Sequence, residues 1–128
     1  MHKNQQIILS TINTPEVILD PTGKIKLTGR LISENPMDFF TPIEKWINEY
    51  FYNPAKITYI EISLEYVNSV GTKFLINIMN EITHIQLRKN KEKFEINWYY
   101  EDIDEDMLEK GTFLSMALEI PFNFIRII

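Results

Sequence analysis

The sequence predicts an α/β domain with a mixed, mostly parallel sheet that begins with an antiparallel hairpin. Three observations support this prediction. Strand-like segments alternate with amphipathic helical segments, the central strand-like segment is rich in Ile, Tyr and Leu, and a turn sequence joins the first two strand-like segments. Helices placed between strands allow successive strands to lie parallel in one sheet. The predicted element order is ββαβαβαβ, with the helices packed on the sheet.

The size and composition are those of one small domain. We expect a single domain over residues 1–128, with residues 1–6 forming a flexible tail. A net charge of −5 argues against a nucleic-acid partner, because such partners require a basic surface. The chain has no cysteine and no apolar run long enough to span a membrane. We therefore expect a cytoplasmic protein that neither binds nucleic acid nor inserts into a membrane.

The first two strands are joined by Asp20-Pro21-Thr22-Gly23, in which Pro and Gly occupy positions that suit a type I turn. The strands themselves are expected over residues 16–19 and 24–30. Together these segments predict the N-terminal hairpin.

An amphipathic helix follows the hairpin, with apolar residues at helical spacing from Phe39 to Phe51. Its start has two interpretations. Asn35-Pro36 can open the helix, but Thr41-Pro42-Ile43-Glu44 is itself a capping box with Pro at the first helical position. Within this helix, we expect Trp46 and Ile47 to face the sheet, and Glu44 and Glu49 to face solvent.

The rest of the chain repeats the strand–helix alternation. Residues 57–67 are dense in Ile, Tyr and Leu, which predicts a central strand. The helix that follows directly carries apolar residues on one side from Phe74 onward. An alternating strand over 94–100, a helix over 104–118 and a last strand over 122–128 complete the chain.

No catalytic or metal-binding signature is present. Asp102, Asp104 and Asp106 have the spacing that opens an EF-hand loop, but Met107 stands where that loop needs Gly and Phe113 where it needs Glu. Acidic residues at a helix start are explained by the helix dipole. The sequence therefore predicts a protein that is not an enzyme, with no catalytic residue, no metal site and no cofactor.

The junction between strand 57–67 and the next helix is the candidate site. Ser69 is a good N-cap residue, so we expect it to cap this helix at an exposed sheet edge, and Gly71 allows close packing. The same serine follows a parallel strand, at the sheet edge where α/β folds place their sites. A phosphate there would gain from free N–H groups, the helix dipole and Lys73 one turn on. A structural cap and a phosphorylation site are compatible, and both interpretations remain open.

Short motifs distributed over residues 14–125 resemble those of a known family. They are Thr14-Pro15-Glu16, Asp20-Pro21-Thr22-Gly23, Gly29-Arg30, Glu34-Asn35, Phe39-Phe40, Pro42, Trp46, Leu64-Glu65-Tyr66-Val67-Asn68-Ser69 with Lys73, Asn97-Trp98-Tyr99-Tyr100-Glu101-Asp102, Asp104-Glu105-Asp106-Met107-Leu108-Glu109 and Pro121-Phe122. In order and spacing, these motifs resemble the SiaC family of bacterial regulatory phosphoproteins. That family has a fold like the STAS domains of anti-sigma-factor antagonists.

The resemblance implies a non-enzymatic partner switch. In the family, a Ser or Thr that follows a tyrosine-x-asparagine sequence is phosphorylated by a cognate serine/threonine kinase, and a PP2C-type phosphatase reverses the modification. The unmodified form binds and activates a diguanylate cyclase, which links it to c-di-GMP signalling and biofilm formation. By position, the modified residue here is Ser69, and Asn68, Gly71 and Lys73 are neighbours that can contact a partner.

The sequence departs from the family pattern at two places. The family often has further hydroxyls after the modified residue, whereas this chain has Val70-Gly71, so Thr72 is the alternative phosphorylation site. Leu31-Ile32-Ser33 replaces a Ser-Tyr-Pro sequence common in the family.

A rival interpretation of the function is a STAS-like module that binds a small ligand, such as a nucleotide or lipid, without phospho-switching. A buried pocket with convergent polar groups would favour that rival, and an inert scaffold subunit is a third possibility.

Overall fold

The computed structural model describes residues 4–32, 37–89 and 93–128, with only the backbone described over residues 84–89. The predicted helix opening at Asn35-Pro36 lies outside the described residues. The elements, in chain order, are β1 (Gln6–Ile8), β2 (Glu16–Asp20), β3 (Lys24–Leu31), α1 (Met37–Tyr50), β4 (Ile57–Val67), α2 (Ser69–Lys89), β5 (Lys93–Glu101), α3 (Glu105–Leu118) and β6 (Asn123–Ile127).

The described strands form one six-stranded sheet in the order β1-β2-β3-β4-β5-β6. β1, β2 and β3 pair antiparallel, and β3 to β6 pair parallel. This architecture confirms the predicted α/β class with its N-terminal hairpin. It also confirms that β4 is an interior strand, because β3 and β5 flank it.

The strand β1 was not predicted from the sequence. Gln6 belongs to this strand rather than to the tail, and Ile7 pairs with Ile18 of β2. Three residues offer too few positions for an alternating pattern to be recognised. The observed order is therefore βββαβαβαβ, with one more edge strand than expected.

The three helices cover one face of the sheet. In β4, Ile60 and Ile62 are buried, whereas their neighbours Glu61 and Ser63 are only half-buried. Had helices packed on both faces, both sets would be buried, as in doubly covered parallel sheets. The core therefore lies between the helices and one face, and the opposite face carries mostly polar side chains.

Helix α1 runs from Met37 through Pro42 without interruption. The hydroxyl of Thr41 donates a hydrogen bond to the Met37 carbonyl, at 2.7 Å, so Thr41 lies inside the helix rather than capping it. This finding favours the earlier of the two predicted starts. As expected, Trp46 and Ile47 are fully buried; Glu49 is exposed and Glu44 is half-buried.

Helix α3 begins at the acidic residues that predicted a helix start. Asp104 is its N-cap and accepts a hydrogen bond from the Met107 N–H at 3.0 Å. The indole N–H of the fully buried Trp98 donates to the Met107 carbonyl, also at 3.0 Å. Gly111 lies against the same indole, where an added Cβ would be 2.5 Å from Trp98 Nε1. Trp98 and this first turn thus fix α3 on β5.

Candidate functional site

A β-bulge shapes the end of β4 before α2 begins. Gly29 of β3 pairs with Leu64, but the next residue, Arg30, pairs with Tyr66, which leaves Glu65 without a cross-strand partner in this register. The inserted residue disturbs the alternation, so that Glu65 and Tyr66 are both exposed before the buried Val67. Bulges often reorient side chains next to functional sites. Here the bulge places Tyr66 on the surface beside the strand–helix junction.

The N-cap of α2 is Asn68 rather than Ser69. The Asn68 side-chain oxygen accepts a hydrogen bond from the Gly71 N–H at 2.8 Å, and its carbonyl accepts one from the Thr72 N–H at 2.8 Å. The Asn68 N–H donates to the Leu31 carbonyl of β3 at 3.1 Å, which holds Asn68 at the end of the sheet and outside the helix. The expectation that Ser69 caps the helix was therefore wrong.

Ser69 is the first residue of α2 and its side chain is exposed, as expected. Within the described parts of the chain, its hydroxyl takes part in no hydrogen bond. The alternative residue, Thr72, is half-buried, and its hydroxyl donates to the Asn68 carbonyl at 2.9 Å. Of the two candidate hydroxyls, Ser69 is the more accessible to another protein.

The predicted neighbours of Ser69 have different surroundings. Gly71 is buried, and an added Cβ would lie 2.8 Å from Leu31 Cγ and 2.9 Å from Val67 Cγ2. Its structural role is the close approach of α2 to the sheet. Lys73 is exposed one turn into the helix. Asn68 serves as the cap, so Lys73 is the predicted neighbour whose side chain is most available to a partner.

Lys110 of α3 is a cation at the junction that the sequence did not indicate. Its Nζ donates to the Val67 carbonyl at 3.0 Å and lies 4.7 Å from the centroid of the Tyr66 ring. Lys110 is separated from Val67 by 43 residues, and no local motif links the two. Only the packing of α3 beside β4 brings this ammonium group to the end of the strand.

A cleft of about 330 Å³ lies near the carboxyl ends of β3, β4 and β5. Hydroxyl groups and carboxylates line it, and none of its described lining residues is Lys or Arg. Burial raises the pKa of Tyr99, and a hydrogen bond to Glu61 raises it further, so this phenol stays protonated. The polar side chains of the lining are Thr28, Ser63, Glu65, Tyr99, Tyr100, Glu101 and Asp104.

The electrostatics of this cleft disfavour an anionic ligand. Three carboxylates without a cation among the described lining residues would repel the phosphates of a nucleotide or of an anionic lipid. Over the described residues, no group of three or more acidic or histidine side chains is placed to hold a metal ion. No helix in this part of the chain has the length and apolarity needed to cross a membrane.

Comparison with known families identifies the chain. The model of the SiaC family of regulatory phosphoproteins matches residues 8–127. The chain belongs to the SiaC family. The match includes all three helices, the strand–helix junction with Ser69, and Lys110. No curated protein matches the chain at a significant level.

Solved structures of SiaC proteins share this fold. One match is a chain in the crystal structure of the diguanylate cyclase SiaD in complex with its activator SiaC, from Pseudomonas aeruginosa. It superposes with a TM-score of 0.84 at 18% identity, and the match covers 95% of this chain and 99% of that one. SiaC of Pseudomonas aeruginosa gives a TM-score of 0.77 at 17% identity, covering 96% and 97%. Apo-SiaC from the same organism gives a TM-score of 0.75 at 16% identity, and the match covers 97% of this chain and 98% of that one. The likeness confirms the SiaC fold over nearly the whole chain.

Proposed function

We propose that this SiaC-family chain is a non-enzymatic partner switch controlled by phosphorylation of Ser69. A cognate serine/threonine kinase adds the phosphate in the cytoplasm, a PP2C-type phosphatase removes it, and the unmodified form binds and regulates a diguanylate cyclase. One observation carries the proposal: Ser69 is exposed at the start of α2, while Asn68 caps the helix independently of it. Ser69 can therefore be modified without loss of the cap.

The start of α2 is a favourable place for a phosphate. The first N–H groups of a helix have no i−4 carbonyl to bond to; the Asn68 side chain accepts from that of Gly71, and the regular helix bonds begin with Thr72, whose N–H donates to the Asn68 carbonyl. The N–H groups of Ser69 and Val70 can therefore face an anion, and the positive end of the helix dipole adds to the attraction. A phosphate on Ser69 is accordingly compatible with the folded helix.

The same phosphate would oppose binding of a partner at this surface. The junction presents Tyr66 and Val70, whose side chains are 46% and 38% exposed. Phosphorylation would add about 1.5 to 2 negative charges beside these largely apolar groups. Burying such a charge in an interface without a matching cation is costly, so the modified form should bind more weakly.

The choice of a diguanylate cyclase as partner is supported by structural similarity. The activator SiaC occurs in complex with the cyclase SiaD in a crystal structure that contains a chain of the same fold. The ligand-binding alternative has less support, because the cleft near the sheet edge is lined by carboxylates and would repel nucleotide or lipid phosphates. The phospho-switch is therefore the function that this surface supports best.

Two substitutions at Ser69 test the proposal. Ser69→Ala and Ser69→Asp should both fold, with nearly equal melting temperatures. Ser69→Ala should bind the cyclase as the unmodified protein does, whereas Ser69→Asp should bind about tenfold or more weakly, equivalent to about 1.4 kcal/mol. Calorimetric titration with the cyclase of the same organism measures both affinities.

Thr72→Val is the matched control, since it removes the neighbouring hydroxyl but leaves Ser69 intact. After treatment with the cognate kinase, mass spectrometry should find phosphate on the wild type and on Thr72→Val, and none on Ser69→Ala. Equal cyclase binding by the Ala and Asp variants would refute the switch at this residue.

A further inference from the structure

We propose that Lys110 senses a phosphate on Ser69 and transmits the modification to α3 and Tyr66. This inference rests on the proposed function, because it concerns how that modification would be read within the molecule. In the unmodified protein, the Lys110 ammonium group is held by the Val67 carbonyl at 3.0 Å and by the Tyr66 ring at 4.7 Å. Both partners are electrically neutral, and both precede Ser69 by three residues or fewer.

The contact with Val67 arises where the sheet pairing ends. β4 and β5 pair only as far as Ser63 and Tyr99, so the last residues of β4 have no ladder partner on the β5 side. Asn68 still bonds to β3, through the Leu31 carbonyl. The Val67 carbonyl instead accepts its hydrogen bond from Lys110, and Val67 is a buried residue whose backbone acceptor needs a partner. Lys110 thus ties α3 to the strand that leads into Ser69.

A phosphate on Ser69 would compete for this ammonium group. Two trans peptide units separate the Cα atoms of Val67 and Ser69, so these atoms lie within about 7.6 Å of each other. The lysine side chain is flexible and its ammonium group has three donors. Hydrogen bonds between two charged groups are roughly twice as strong as those to a neutral acceptor. The phosphate should therefore draw Lys110 away from the Val67 carbonyl.

This movement would change a larger surface than Ser69 alone. Tyr66 is 46% exposed and would lose the cation that lies over its ring. α3 would lose its hydrogen bond to the end of β4. Two other cations border the junction: Lys73 on α2, and Arg30, which pairs with Tyr66 across the sheet. Both are exposed, and neither has a described contact that ties another element to the strand end.

The test uses protein in which phosphoserine is incorporated at position 69 during synthesis, so it does not depend on a kinase. The second pKa of the phosphate, near 6 in free phosphoserine, is measured by phosphorus NMR. In the wild type, the nearby ammonium should lower this pKa, and Lys110→Met should raise it by about half a unit, the effect of one charge at close range in a wet environment. Lys110→Arg should retain the lowered value.

Lys73→Met and Arg30→Met are the matched controls and should change the phosphate pKa less than Lys110→Met does. Phosphorylation should also shift the Tyr66 ring resonances in the wild type but not in Lys110→Met. An unchanged pKa in Lys110→Met, or a larger change in Lys73→Met, would overturn the role of Lys110. These outcomes are independent of the proposed function, which fails separately if no cellular kinase modifies Ser69.

Discussion

The side-chain oxygen of Asn68 lies 2.8 Å from the backbone nitrogen of Gly71 and accepts its hydrogen. This bond satisfies a donor of the first turn of α2 that would otherwise lack a partner. Because Asn68 performs this role, the hydroxyl of Ser69 is not needed for the helix start. Asn68 therefore stabilises the start of α2, and the adjacent Ser69 is left available for modification.

The first prediction follows from these separate roles of Asn68 and Ser69. Asn68→Ala should lower the free energy of unfolding by about 1 kcal/mol, the usual cost of losing an N-cap. Ser69→Ala should lower it by clearly less, because no described hydrogen bond is lost. Urea denaturation of the two variants in one buffer measures both values. A larger loss for Ser69→Ala than for Asn68→Ala would show that the cap has been assigned to the wrong residue.

The second prediction concerns the contact between α3 and β5. Gly111→Ala should lower the free energy of unfolding by about 1–3 kcal/mol, because its Cβ would lie 2.5 Å from Trp98 Nε1 and both residues are buried. The better helix propensity of alanine recovers only part of this loss. Thermal and urea unfolding measure the change.

Trp98→Val is the matched partner for this test, since it removes the indole atoms Nε1, Cδ1 and Cε2 that the new methyl group would meet. On its own it should destabilise the protein by loss of volume and of the hydrogen bond to Met107. Combined with Gly111→Ala, it should cost less than the sum of the two single changes. Strict additivity in this double-mutant cycle would contradict the contact.

The third prediction is a pH dependence at the contact between α1 and α2. Burial raises the pKa of Glu81, the negative charge of Glu44 raises it further, and a hydrogen bond from Asn48 opposes both effects. A raised carboxyl pKa means that the fold favours the protonated form. The charged form therefore costs stability, and this cost is absent below the ordinary pKa of 4.5 and complete above the raised value.

Glu81→Gln should accordingly raise the melting temperature at pH 7 and leave it nearly unchanged at about pH 3.5. The gain should not exceed about 1 kcal/mol, because water screens this partly exposed group. Glu95→Gln, at an exposed position of β5, is the control and should have little effect at either pH. A stabilisation by Glu81→Gln that is as large at pH 3.5 as at pH 7 would exclude the electrostatic explanation.

The sequence correctly predicted those elements in which buried residues recur at a regular spacing. The strand expected over residues 57–67 has those same bounds in the structure, and the helix expected over 104–118 begins one residue later. Such segments are recognisable because one face is buried along their whole length. β1 was missed because it has three residues and pairs at the sheet edge, where burial leaves little pattern.

The candidate site was predicted less completely than the fold. Asn and Ser have nearly equal preferences for the N-cap, so the sequence alone could not choose between Asn68 and Ser69. The hydrogen bond from Asn68 to Leu31 decides the question, and it depends on the pairing of β4 with β3. Lys110 was missed for a related reason, because its contact with Val67 joins residues 43 positions apart.

The strand order β1-β2-β3-β4-β5-β6 is also the order in which the ribosome makes the strands. Each strand pairs with the one synthesised just before it, so the growing chain never has to wait for a later segment in order to extend the sheet. Only hairpin turns and single crossovers must close, and the entropy cost of closing a loop rises slowly with its length. The sheet can therefore be assembled progressively during translation, and strands β1 to β4 and the start of α2 at Ser69 are made before α3 and Lys110 have emerged.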